Sequence, residues 1–186
     1  MQLTKPRLSD KTPVTLAEIL NAKEQRAEYQ EQLLAKYQLP LLSLTITMPG
    51  ETKLNECVLY LFERAYQQII AYCQQHQLTC RMHQQKILNT GPEGFFVIEQ
   101  SELALKQACV EIEQSIPLAR LWDIDVISVT SGQPISRKTL GYSPRRCLIC
   151  DNEAKVCARA RTHSIVELTH AIEHLAAQAG YLSIYR

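Results

Sequence analysis

What this chain lacks narrows its chemistry before anything it contains does. No apolar run approaches the roughly 18 residues of a membrane span. The opening stretch, MQLTKPRLSDKTP, has no apolar core of a secretion signal. A membrane partner is therefore not expected. Neither G-x-G-x-x-G nor G-x-x-x-x-G-K-[ST] occurs, which argues against a dinucleotide-binding fold or a P-loop. Aromatic residues are only 6% of the chain and form no stripe on which single-stranded bases could stack, so nucleic acid is not expected as a partner. There is no internal repeat and no low-complexity tract. Cysteine, by contrast, occurs seven times, an odd number spread along a chain without a secretion signal. A reduced, cytoplasmic setting follows more simply than a disulfide framework.

With 46% hydrophobic and 21% charged residues, the 186-residue chain has the composition of a globular protein with a real core, and residues 1–186 are expected to form a single domain. Thr15-x-x-Glu18 is a capping box, followed by Leu16, Ile19, Leu20, Ala27 and Leu34 at helical spacing until Pro40. LLSLTITM (41–48) reads as a strand closed by Pro49-Gly50. A broad apolar stripe from Leu54 to Cys73 predicts a second helix. QKILNT and FFVIE, separated by GPEG (91–94), read as a β-hairpin. Ser101 caps a third helix that Pro117 stops, and LWDIDVIS (121–128) is the last strand. Residues 137–163 read as a basic, cysteine-bearing loop, after which Ser164-x-x-Glu167 opens a final helix ending at Gly180. The order α-β-α-β-β-α-β-loop-α predicts an α+β fold, with a mixed or antiparallel sheet of about four strands and helices on one face.

Three constellations carry chemistry. A strand alternates its faces, so Asp123 and Asp125 point the same way, opposite Trp122, Ile124 and Val126. Two adjacent carboxylates repel unless a cation sits between them, and Mg²⁺ prefers carboxylate and phosphate oxygens. This D-x-D is the arrangement of nucleotidyl-transfer sites. The same pair serves equally as solvated acids at a strand edge, answered by nearby lysines or arginines. The second constellation is Cys147-x-x-Cys150 with Cys157 and His163, a set that can hold Zn²⁺, form a structural cysteine cluster or act as a redox pair. The third is CARARTHS (157–164), where Arg159, Arg161 and His163 alternate just before a helix N-terminus, a phosphate-binding pattern or a solvated basic turn. Between Arg137 and Arg161 the chain carries a net +5, leaving −4 for the rest, which points to an anionic ligand.

PLARLWDIDVIS, then GYSPRRCLICDNEAKVCARARTHS, with TGPEGFFVI and LTITMPGETK upstream, resembles the apo-citrate lyase phosphoribosyl-dephospho-CoA transferases, the citrate lyase holo-acyl-carrier-protein synthases. The likeness runs from about Leu41 to the last helix. It implies a Mg²⁺-dependent, nucleotidyltransferase-like enzyme. Such an enzyme moves the phosphoribosyl-dephospho-CoA prosthetic group from triphosphoribosyl-dephospho-CoA to a serine of the citrate lyase acyl carrier protein, releasing pyrophosphate. Asp123 and Asp125 then hold the metal and are catalytic; Arg120, Arg145, Arg146, Arg159, Arg161 and His163 are the candidates for the donor phosphates, Arg159 and Arg161 foremost. Zinc at Cys147, Cys150 and Cys157 is a second metal to consider. The alternatives are the equivalent transfer to a malonate decarboxylase carrier protein, or a non-enzymatic zinc module that docks a partner. In polymerase-type nucleotidyltransferases a glycine turn shortly precedes D-x-D and a third carboxylate joins it. Here Gly94 lies a whole helix upstream of Asp123, and no third carboxylate is evident in the sequence.

Overall fold

Each main helix starts where a side chain can cap it. The computed structural model describes residues 13–181, so all but Pro13 of the stretch read for a secretion signal lies outside the described residues. Thr15 and Glu18 form the expected capping box of α1 (Leu16–Tyr37), Asn55 caps α2 (Glu56–Gln75), Ser101 caps α3 (Glu102–Ser115), and Ser164 with Glu167 forms the capping box of α5 (Ile165–Gln178). Between them run β1 (Leu41–Ile46), β2 (Cys80–Leu88), β3 (Gly91–Ile98) and β4 (Trp122–Ile127), with short 3₁₀ turns at Pro117–Leu121 and Arg137–Leu140. The strands form one antiparallel sheet in the order β2-β3-β1-β4, an α+β arrangement.

Three details differ from the sequence expectation. The hairpin turn is Asn89-Thr90, with Leu88 paired to Gly91, so GPEG lies inside β3. Pro92 is tolerated there because β1 pairs with β3 only from Gly94 onward, leaving the proline no ladder bond to make on that side. At Gly94 a side chain would be tight: a Cβ would sit 3.3 Å from both Leu44 Cβ and the Tyr66 ring, which would have to give by a few tenths of an ångström. The basic segment 137–163 is not wholly loop, since it contains α4 (Ala154–Ala160), a helix of 7 residues and too short to show periodicity. Finally, helices cover both faces of the sheet rather than one. Leu42, Leu44, Phe96, Ile98, Trp122, Ile124 and Val126 pack with α2, α3 and α5, whereas Leu41, Phe95, Val97 and Ile127 pack beneath Leu33 and Leu34 of α1. Strand alternation alone creates both apolar faces, but which helix covers which is a tertiary choice. Only the C-terminal part of α1 is used in this way; Leu16 and Leu20 are 72% and 50% exposed.

β4 is an edge strand, and its outward backbone needs partners. α3 runs beside it and supplies them from two buried charged side chains, Lys106 and Glu113. Lys106 Nζ donates to the Ile124 carbonyl at 3.3 Å, and the Ile124 N–H donates to Glu113 Oε1 at 3.3 Å. Glu113 also accepts from Arg137 Nη2 at 2.6 Å and from Arg145 Nη2. One carboxylate therefore ties α3, the edge of β4 and the start of the basic segment. Glu113→Ala should strip the counter-charge from two guanidinium groups and orphan the Ile124 N–H. The expected loss is about 3 kcal/mol, the low end for breaking a buried ion pair, because both arginines keep some water. Glu113→Gln, which keeps an acceptor but not the charge, should fall between wild type and Ala in a denaturant melt.

Candidate active site

The alternation read from the sequence holds: Trp122, Ile124 and Val126 are buried, while Asp123 and Asp125 share the other face. Their cross-strand partners are Thr45 and Ser43 of β1. α1 lies on this face, where Gln30 donates to Ser43 Oγ at 3.0 Å and Arg26 pairs with the buried Glu93 at 2.9 Å. Both aspartate side chains nevertheless keep 45% of their surface in water, so they are open to a ligand.

Cations surround the pair. Arg145 Nη1 lies 3.2 Å from Asp123 Oδ1, and the other end of the same guanidinium is bound to Glu113. Lys106 Nζ is 3.9 Å from Asp125 Oδ1. Burial first, and then the neighbouring Asp123 charge, push the Asp125 carboxyl above its usual range; Lys106, Arg145 and Arg26 pull the other way without cancelling the rise. Paired carboxylate oxygens of this kind could hold a hard cation such as Mg²⁺.

Arg145 also lines a cleft of about 1630 Å³, well beyond the roughly 300–1,000 Å³ of ordinary small-molecule sites. Arg120, Arg137, Arg146 and Arg161 line it as well, together with apolar residues that include Ile165 and Leu168. The two aspartates are not among its lining residues; Arg145 joins them to it. Arg120 donates to the Cys147 carbonyl at 2.6 Å, with one end of its guanidinium anchored on the segment. Arg146 is largely exposed and reaches only the exposed Asp151 at 3.3 Å. Arg159 is exposed on α4 and does not line the cleft. His163 lines the cleft, but its Nε2 lies 3.3 Å from Cys150 Sγ.

That histidine completes a group with Cys147, Cys150 and Cys157 whose ligand atoms all lie within 4.8 Å of one another, close enough to hold a metal ion. Cys147 is buried, which alone would raise its thiol. Hydrogen bonds from the backbone of Cys150 and Ile149 and from the other thiols outweigh this and bring it down to about 6.

Four residues at the site escaped the sequence reading: Arg26, Lys106, Glu113 and Arg137. Lys106 and Glu113 left a faint signal. They sit seven apart on the border of the α3 apolar stripe, directly after Leu105 and Ile112. A charged residue at that border is ordinarily solvated, and only the packing of α3 against β4 buries these two.

Comparison with known proteins places the chain in a family. Residues 14–179 match the family described as apo-citrate lyase phosphoribosyl-dephospho-CoA transferase. A protein of Vibrio cholerae named probable apo-citrate lyase phosphoribosyl-dephospho-CoA transferase is 40% identical over 166 residues, covering 87% of this chain and 91% of its own. A Shigella boydii protein named apo-citrate lyase phosphoribosyl-dephospho-CoA transferase is 34% identical over 170 residues, 91% of this chain and 92% of its own. Protein CitXG of Haemophilus influenzae is 40% identical over 163 residues, which are 88% of this chain but only 35% of that longer protein. With the match spanning nearly all the described residues, this chain belongs to the apo-citrate lyase phosphoribosyl-dephospho-CoA transferase family.

Proposed function

We propose that Asp123 and Asp125 hold a Mg²⁺ ion beside a donor cleft whose arginines receive the phosphates of triphosphoribosyl-dephospho-CoA. The enzyme is a transferase that delivers the phosphoribosyl-dephospho-CoA group to the apo form of the citrate lyase carrier protein. The acceptor is a serine of the acyl carrier protein, and pyrophosphate leaves. The observation that carries this reading is the paired, half-exposed carboxylates joined by Arg145 to a cleft lined by five arginines.

The donor is long and strongly anionic, which calls for a large basic cleft. Magnesium, when bound, supplies charge neutralisation for the leaving phosphates. The chain does the rest by position. Arg145, fixed at one end by Glu113, presents its other end at Asp123, where a donor phosphate would take the guanidinium and a metal ion the carboxylate. Arg120 and Arg161 also line the cleft. The apolar lining at Ile165 and Leu168 suits the less polar parts of the dephospho-CoA moiety. The nucleophile comes from the carrier, which is why this chain needs no activated serine of its own. Seven free cysteines accord with a reducing, cytoplasmic setting for this reaction.

The defining test incubates the enzyme with triphosphoribosyl-dephospho-CoA, Mg²⁺ and either apo carrier protein, and weighs the carrier by mass spectrometry. The citrate lyase carrier should gain the prosthetic group; modification of the malonate decarboxylase carrier alone would reassign the substrate. Asp123→Asn and Asp125→Asn should each remain folded and lose about a thousandfold in transfer rate. The double variant should be little worse than either, because the two act on one ion. Near-wild-type transfer by both folded single variants at saturating Mg²⁺ would reduce the pair to surface acids.

The cleft separates the two arginines of the CARAR motif. Arg161→Ala removes a charge-assisted phosphate contact, worth about 1.5–3 kcal/mol, and should raise the donor KM by roughly one to two orders of magnitude. Arg159→Ala, outside the cleft, should leave the donor KM close to that of the wild type. Steady-state kinetics with varied donor at fixed carrier distinguishes the two.

A further inference from the structure

The transfer reaction has no step for a thiol, yet three cysteines and a histidine converge at one point in the basic segment. Cys150 Sγ is 3.5 Å from Cys157 Sγ and 3.3 Å from His163 Nε2. These separations are far too long for a disulfide, whose sulfurs lie about 2.05 Å apart. They are close to the roughly 3.5–3.8 Å between ligands on a tetrahedral ion with Zn–S of about 2.3 Å and Zn–N of about 2.0 Å. We infer that Cys147, Cys150, Cys157 and His163 bind a structural Zn²⁺ that staples the basic segment together.

The local backbone has the form such a site requires. Cys147 N donates to Asn152 O at 2.7 Å and Ala154 N to Arg145 O at 2.8 Å, with Arg146 bridged to Glu153 between them, so a small ribbon turns back around the C-x-x-C pair. α4 then carries Cys157 to the same point, and the left-handed backbone of Arg161, at φ 50°, turns the chain so that His163 arrives from the other side. Four protein ligands close the coordination sphere, the mark of a structural rather than a catalytic zinc site. Sulfur and nitrogen donors select zinc over magnesium, so this ion and the one proposed at Asp123 and Asp125 do not compete for sites.

The segment also needs a staple. Among residues 137–163, Cys147 and Cys157 alone are buried. A stretch with so little apolar burial cannot meet the entropy cost of its own ordering, and a bound metal supplies folding free energy directly. What the staple fixes is the cleft wall: Arg145, Arg146 and Arg161 belong to this segment, and Arg120 is anchored on the Cys147 carbonyl.

The test uses the full, tag-free chain purified without chelator. Elemental analysis should find about one zinc per chain, as a closed four-ligand site requires. Absence of metal, or iron in place of zinc, would overturn the assignment, as would a Cys150–Cys157 disulfide found in metal-free protein. Cys157→Ser and His163→Gln should each lose most of the zinc, whereas Cys73→Ser, a buried thiol outside the cluster, should keep it; full zinc retention by both cluster variants would refute this ligand set. To keep the test independent of the folding of those variants, the wild type is also stripped and reloaded with Co²⁺. A tetrahedral thiolate–cobalt spectrum is expected, and an octahedral one would count against the site. Hydrogen exchange on the stripped wild type should quicken across 145–163 while β4 stays protected; unchanged exchange in 145–163 would refute the bracing role. None of these readouts depends on the identity of the donor.

Discussion

The buried carboxylate of Glu113 is the interaction on which the site depends. A lone ionised carboxyl at that depth would be costly, and it is tolerated because three donors converge on it: the Ile124 N–H, Arg137 and Arg145. The donors come from two parts of the fold. Ile124 lies between the two aspartates on β4, so its bond fixes the strand that presents them. Arg137 and Arg145 bring in the segment that walls the cleft. The same charge that completes the edge of the sheet also aims a guanidinium at Asp123.

This arrangement sets a half-exposed pair of acids beside cations that are shared with other groups. Arg145 is divided between Glu113 and Asp123, and Lys106 is committed to the Ile124 carbonyl, standing 3.9 Å from Asp125. In the proposed function a divalent ion would take the two carboxylates and the surrounding cations the donor phosphates.

The molecule also keeps hard and soft donors apart. Carboxylate oxygens lie on β4, whereas sulfur and imidazole gather in the segment that follows. His163 belongs to two patterns in the sequence. In CARARTHS it alternates with two arginines, and with Cys147, Cys150 and Cys157 it makes a metal-binding set. The short helix and the left-handed residue before it bring its Nε2 to Cys150, while the residue also lines the cleft.

Much of the fold was legible in the sequence because local rules suffice for it. The capping boxes at Thr15 and Ser164, the cap at Ser101 and the strand alternation around Asp123 and Asp125 depend on residues a few positions apart, and all are present as read. The D-x-D pair was visible for the same reason. The hairpin turn was displaced because Gly and Pro are turn formers by propensity, while the pairing register of β2 with β3 puts the turn at Asn89-Thr90. Sequence therefore determined the elements, their caps and the face on which the two acids stand. Tertiary structure decided what surrounds those acids: the burial of Lys106 and Glu113, the sharing of Arg145, the placement of Arg161 in the cleft and Arg159 outside it, and the convergence of three cysteines on one histidine. These depend on which helix packs on which edge of the sheet, a choice made by long-range burial that periodicity along the chain does not encode.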